Sequence, residues 1–220
     1  MKYLVASCAT AFLAVAIVVV SYSVYAQDIR FEEMGFFVTS VGLGKGGDLG
    51  GLKGADAHCQ SLAEAAGAGN RTWRAYLSTE TEGRRGEDAR LRIGNGPWYN
   101  AAGILIATDL TDLHLYNRTI TKFTALDENG NLINGRGEPP SRHDILTGSQ
   151  EDGMSFWPDD ADHTCNNWTS SDEGSAMVGH HDRYGFGNSS WNSTHHTVGC
   201  SQKELIFSSG DGLFYCFAAD

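Results

Sequence analysis

One stretch of the chain reads Ala55-Asp56-Ala57-His58-Cys59-Gln60-Ser61-Leu62-Ala63-Glu64-Ala65-Ala66, and its apolar residues recur at helical spacing. The first, fifth, eighth, ninth and twelfth residues of the stretch are apolar and fall on one face of a helix. Gly67 follows directly and is typical of a helix end. The pattern predicts a helix over 55–66 with Cys59 on its buried face. A disulfide at Cys59 would therefore fasten this helix to the core.

Cysteine placement is the second strong signal. Four cysteines follow the first 26 residues, and they are Cys59, Cys165, Cys200 and Cys216. In an exported chain an even number of cysteines predicts disulfide bridges, because an oxidising compartment lets them persist. Cys59 has no near neighbour, so at least one bridge must join the first helix to the last quarter of the chain. Sequence alone leaves three pairings open.

Residues 1–26 are typical of a signal peptide. Lys2 supplies the positive start, 11–20 is a short apolar run, and Val24-Tyr25-Ala26 fits a small-residue cleavage site. An uncleaved membrane anchor is the alternative, although the run is short for a span. We expect a domain over 27–220 that is secreted, periplasmic or on the cell surface. No membrane insertion is expected after cleavage, and the oligomeric state is left open.

Charge narrows the class of partner. Without Lys2 the chain has 15 basic and 27 acidic residues, a net charge near −12. Such a surface repels nucleic acid and other polyanions, so a nucleic-acid partner is not expected. About 194 residues fit one domain with a sizeable core.

The remaining pattern alternates short strands with loops. Strands are predicted at 35–41, 73–77, 104–107, 175–178, 197–200 and 213–217, with a glycine-rich loop at 42–54 and a polar loop at 149–167. Together with the early helix, this pattern predicts an α+β fold of early helices on small antiparallel sheets.

Several motifs in this order resemble bacterial endostatin-like proteins of the C-type-lectin-like fold. They are Gly51-Leu52-Lys53-Gly54-Ala55-Asp56-Ala57-His58-Cys59, Arg71-Thr72-Trp73-Arg74-Ala75-Tyr76-Leu77-Ser78, Thr147-Gly148-Ser149, Cys165-Asn166-Asn167-Trp168 and Tyr215-Cys216. The resemblance implies the nested disulfides Cys59–Cys216 and Cys165–Cys200. It also implies an adhesin-like module that binds an extracellular protein or glycan.

Two histidine pairs are the predicted metal site. His180-His181 and His195-His196 could supply imidazoles to zinc, with His163 and Asp182 as helpers. Neighbouring residues in a strand point to opposite faces, so one histidine of each pair would reach a shared ion. The metal residues predicted are His180, His195 and His196. Calcium is the other metal weighed, at Asp127-Glu128-Asn129-Gly130-Asn131, where a plain hairpin is favoured.

The predicted ligand surface lies in the polar loops. Trp157 and Trp191 are expected to be exposed there, with Asp159, Asp160 and Asn188 beside them. No nucleophile elbow, zinc-protease helix or phosphate loop occurs in the sequence. The leading hypothesis is a non-catalytic exported binding module without a required cofactor. A carbohydrate-binding lectin is the first alternative, and a zinc-dependent exported hydrolase is the second.

Overall fold

The computed structural model describes residues 33–184 and 189–220, which form a mixed α+β fold and confirm the predicted class. The strands are β1 (Phe36–Val38), β2 (Trp73–Ala75), β3 (Glu80–Thr81), β4 (Arg84–Arg85), β5 (Trp98–Tyr99), β6 (Leu105–Ala107), β7 (Asp144–Leu146), β8 (Met177–His180), β9 (His195–His196) and β10 (Gly210–Ala218). The helices are α1 (Gly51–Ala65), α2 (Ala89–Arg92) and α3 (Gln202–Phe207), with a π-helical turn at Asp112–Tyr116.

β10 is the centre of the main sheet. The C-terminal part of β10 pairs antiparallel with β1 on one side and with β2 on the other. Its N-terminal part pairs with β7, and β8 and β9 complete that edge as antiparallel neighbours. The β10–β7 pair is parallel, which departs from the antiparallel expectation. A parallel pair needs a long crossover connection, and residues 147–209 supply it.

Alternation along the strands gives the sheet two different buried faces. In β10, Phe214 and Cys216 point to one side while Tyr215 and Phe217 point to the other. The cysteine face is the side covered by α1, and its buried residues include Cys59, Cys165, Cys200 and Cys216. The aromatic face is the opposite side, with Tyr76, Trp98, Trp191, Tyr215 and Phe217.

Both disulfides have the nested pairing that the resemblance implies. Cys59–Cys216 joins α1 to β10, and Cys165–Cys200 lies inside that loop. α1 begins at Gly51, four residues before the predicted start, so Asp56 does not stand at the helix N-terminus. Asp56 instead accepts hydrogen bonds from Arg74, at 2.8 Å, and Arg92, at 2.6 Å, and so ties α1 to β2.

The inner disulfide shapes its surroundings. Residues Cys165–Trp168 form a left-handed turn with φ between 48° and 65°, a conformation that non-glycine residues rarely adopt. Trp168 holds the turn by donating its indole N–H to the Ser78 carbonyl at 2.7 Å. The glycine-rich loop packs on the same bridge, because a Cβ at Gly47 would lie only 2.5 Å from Cys165 Sγ. Close packing thus explains why a glycine is needed here.

The last quarter of the chain departs from the predicted order of elements. The strand predicted at 197–200 is wrong, because β9 covers only His195–His196 and is followed by α3. α3 starts with a capping box, in which the Ser201 hydroxyl accepts the Glu204 N–H and the Glu204 carboxylate accepts the Ser201 N–H. This box ends the extended chain and starts the helix.

The described part of the chain contains no helix that is both long and apolar enough to cross a membrane. The predicted signal peptide over 1–26 lies outside the described residues.

Candidate metal centre and ligand surface

One end of β7, β8 and β9 gathers three histidines around a buried aspartate. Asp144 and His180 are direct partners in the β7–β8 ladder, so their side chains share one face of the sheet. His195 pairs with Val178, two residues from His180, and reaches the same face. His143 precedes β7, and its ring packs on the His180 ring with centroids 3.7 Å apart. These four residues, His143, Asp144, His180 and His195, are here called the histidine cluster.

Donor atoms in the histidine cluster converge on one oxygen. Asp144 Oδ1 lies 3.3 Å from His180 Nε2, 3.6 Å from His195 Nε2 and 3.9 Å from His143 Nε2. The Nε2 atoms of His180 and His195 are 3.0 Å apart. Donors of His143, Asp144 and His180 all lie within 4.8 Å of one another, so these three side chains could hold a metal ion together.

Burial makes this arrangement costly unless something compensates the charge. The side chains of Asp144, His143 and His180 are 2–4 % exposed, and that of His195 is 45 % exposed. Neither carboxylate oxygen of Asp144 receives a hydrogen bond of normal geometry, and His180 Nδ1 has no partner either. Burial by itself would raise the pKa of Asp144, but the nearby His180 and His195 lower this pKa overall. The buried carboxylate is therefore ionised and depends on its histidine neighbours.

Outer contacts orient the histidines. His143 Nδ1 lies 2.7 Å from Asp182 Oδ1, so the Nδ1 proton is donated to that carboxylate and Nε2 keeps its lone pair. His195 Nδ1 donates to the His196 carbonyl at 2.9 Å, with the same consequence for His195 Nε2. Burial raises the pKa of Asp182, but the His143 hydrogen bond and two backbone N–H groups lower this pKa well below its usual range. Such carboxylate and carbonyl partners are typical of metal-ligating histidines.

The second histidine of each predicted pair lies elsewhere. His181 is buried and its Nε2 contacts the Asn134 carbonyl at 3.2 Å. His196 joins His163 instead, with 2.5 Å between His196 Nε2 and His163 Nδ1. The interpretation of His196 as a ligand in the same site as His180 and His195 is therefore wrong. The reason is strand alternation, which sends His195 and His196 to opposite sides of β9.

Trp157 is exposed, as expected. Its side chain is 65 % accessible, and the Arg85 guanidinium lies 4.6 Å from the ring centroid. Asp159 and Asp160 follow it and are exposed as well. Asp159 also faces His163, with Oδ1 3.2 Å from Nε2. A hydrogen bond from the Ala161 N–H is the main reason why the pKa of Asp159 is lowered.

Trp191 corrects the other half of the predicted ligand surface. It is 3 % exposed, because its ring packs between Tyr76 and Tyr215 on the aromatic face. Its edge lines a polar cleft of about 360 Å³ together with His114, Asn117, Glu151, Arg183 and Asn192. Asn188, the last predicted ligand residue, lies outside the described residues.

The loop considered for calcium is a hairpin turn. Asp127 Oδ1 accepts the backbone N–H groups of Asn129 and Asn131, and Leu126 pairs with Leu132. Glu138, the carboxylate at the twelfth position counted from Asp127, where a calcium loop has its last ligand, forms an ion pair with Lys122. The carboxylates that a calcium loop would need thus have other partners.

Sequence reasoning missed His143 and Asp144 as donors. β7 has only three residues and starts with a polar one, so no strand was predicted there. The adjacent His143-Asp144 pair immediately before the apolar Ile145-Leu146 was the available signal.

Comparison of the chain with protein-family models finds no matching family, and comparison with curated proteins finds no significant match. Function must therefore be inferred from the geometry of the chain itself.

Proposed function

We propose that this protein is a non-catalytic exported binding module with an endostatin-like, C-type-lectin-like scaffold, and that it recognises a protein on an external surface. The observation that supports the proposal most directly is the exposed Trp157 indole on a loop that is fixed in place. Tryptophan and arginine are the side chains most enriched at the energetic centres of protein interfaces.

The Trp157 loop is anchored at Ser155, two residues before the tryptophan, by three hydrogen bonds. Arg85 donates to the Ser155 carbonyl at 2.8 Å, and the Ser155 N–H donates to Asp88 at 2.7 Å. Gln150 donates to the same Ser155 carbonyl at 2.8 Å. A surface that is ordered before binding loses less conformational entropy when the partner docks. Rigid presentation of Trp157 therefore favours recognition.

Charge around the indole indicates what kind of partner fits. Arg85 covers one face of the Trp157 ring, and Asp159 and Asp160 lie beside it. With a net charge near −12, the module should attract a partner that offers an apolar pocket with a basic rim. Such a partner would associate more slowly as salt is added, because salt screens exposed charges.

The test is binding by the purified exported protein to extracellular-matrix, serum and cell-wall fractions, followed by affinity measurements with the captured partner. W157A should weaken binding by at least about 2 kcal/mol, the loss expected at an interface centre. F207A is the matched control, because Phe207 is 80 % exposed but lies in α3. Equal affinity of W157A and the wild type would refute the proposal.

The W157A variant also distinguishes the lectin alternative from the proposed protein-binding function. An exposed indole also stacks on the apolar face of a sugar ring. If W157A abolished binding to a glycan array while protein partners were still captured, the lectin assignment would replace the protein partner.

A further inference from the structure

We propose that the histidine cluster, His143, Asp144, His180 and His195, binds one zinc ion. This inference goes beyond the proposed recognition function, which rests on the Trp157 loop and does not require a metal. The zinc would join β7, β8 and β9 at the edge of the main sheet.

The spacing of the donors fits a small four-coordinate ion. Zinc bonds of roughly 2.0–2.2 Å in a tetrahedron place neighbouring donor atoms about 3.3–3.6 Å apart. Asp144 Oδ1 lies 3.3–3.9 Å from the Nε2 atoms of the three histidines, and the Nε2 atoms of His180 and His195 are 3.0 Å apart. His143, Asp144 and His180, whose donors lie within 4.8 Å of one another, form the core of the site, and a movement of the half-exposed His195 side chain would complete it.

A buried carboxylate whose close partners are all histidines is the independent sign of a cation. Asp144 is 2 % exposed at its side chain, and neither oxygen receives a hydrogen bond of normal geometry. Its ion pairs within the described residues are with histidines, which are cations only when protonated. Burying a charge without a partner costs several kcal/mol, so a native protein compensates it. A divalent ion at the convergence of three imidazoles would provide that charge.

Donor chemistry points to zinc among the divalent ions. Three imidazole nitrogens and one carboxylate suit zinc, whereas calcium and magnesium prefer oxygen donors. Asp182 and the His196 carbonyl hold His143 and His195 in the tautomers that offer Nε2. Four protein donors close the coordination sphere, which is typical of a structural site. The half-exposed His195 provides the route by which the ion enters and leaves.

The primary test is metal content. The full-length protein, isolated without chelator and measured by inductively coupled plasma mass spectrometry, should contain about one zinc per chain. Chelator should lower Tm, and added zinc alone should restore it. Absence of zinc from the isolated protein, together with an unchanged Tm on adding zinc, would overturn the proposal.

A neighbouring pair of residues provides matched variants. H195A should weaken zinc binding by more than the roughly 10–100-fold that loss of an outer contact costs, because it removes a direct donor. H196A should keep zinc affinity, because the His196 side chain contacts His163 and contributes only its backbone carbonyl to the cluster. Equal loss of affinity in the two variants would contradict the assignment.

The alternative is a metal-free network of histidines that share protons with Asp144. D144N distinguishes the two, because it removes the charge and keeps the shape. If no ion binds, adding zinc should change the Tm of neither D144N nor the wild type. If zinc binds, D144N should lose the zinc-dependent rise in Tm. Should a variant fail to fold, Co²⁺ is added to the metal-depleted wild type as a further readout. Co²⁺ bound by four donors is expected to absorb strongly in the visible range, and a visible spectrum without such bands would refute the site.

Discussion

The two faces of the main sheet are stabilised in different ways. Among the described residues, the cysteine face buries seven alanines and four half-cystines in a cluster of 21, and the aromatic face buries six aromatic rings in a cluster of 17. Small side chains bury little apolar area, whereas an aromatic ring buries 150–250 Å² or so. The comparison indicates that covalent bridges stabilise the face that is rich in small side chains, while apolar packing without a disulfide stabilises the other.

The largest expected effect comes from removing the outer disulfide of the cysteine face. Replacing Cys59 and Cys216 with alanine opens a loop of 157 residues. In the chain-entropy model this lowers the free energy of unfolding by about 5 kcal/mol, a large part of a domain's total. Urea denaturation of the double variant measures the loss.

Removal of the inner disulfide, Cys165–Cys200, provides the comparison for that experiment. C165A/C200A opens a loop of 35 residues and should cost about 4 kcal/mol. A loss below about 1 kcal/mol in both double variants would show that packing, and not the bridges, stabilises the cysteine face.

A second prediction tests the aromatic face through pH. His114 donates Nδ1–H to the Leu110 carbonyl and accepts the Tyr76 hydroxyl proton at Nε2, so it is held neutral. Burial lowers the pKa of His114 from 6.5 to about 4. Because the unfolded chain takes up the proton first, stability is complete above pH 6.5 and falls between pH 6.5 and pH 4. The loss amounts to about 3 kcal/mol.

The H114Q variant isolates this contribution. Its free energy of unfolding, measured from pH 7.5 to pH 4, should fall less steeply than that of the wild type over the same range. Identical slopes for the two proteins would show that His114 does not titrate as proposed.

The smallest expected effect is a local change in amide hydrogen exchange, and it compares two regions of the cysteine face. This prediction rests on the proposed zinc site. By alternation Asp144 shares the side of Leu146, so the histidine cluster lies on the cysteine face, at the edge far from β1. Chelation should speed amide hydrogen exchange in β7, β8 and β9 and leave α1, which the outer bridge holds, unchanged. Uniform acceleration across both regions, measured by mass spectrometry, would instead indicate global destabilisation.

Prediction from sequence succeeded where the signal was local. The helix stripe around Cys59 and the strand around Phe37 depend on neighbours along the chain, and both are confirmed. It failed at Trp191, which has the same polar sequence surroundings as Trp157. Tyr76 and Tyr215 bury Trp191, and both are far from it in sequence. The endostatin-like scaffold, the partner and the export signal stay predictions.

The amino-acid sequence by itself determined the α+β class, the buried helix face and the number of cysteines available for bridging. These properties follow from local periodicity and composition, which can be read from each segment without knowing its partners in the fold. Only the tertiary structure decided which imidazoles meet. Strand register places His180 opposite Asp144 and sends His195 and His196 to opposite sides. Register depends on contacts between residues far apart in the chain, so no local pattern specifies it.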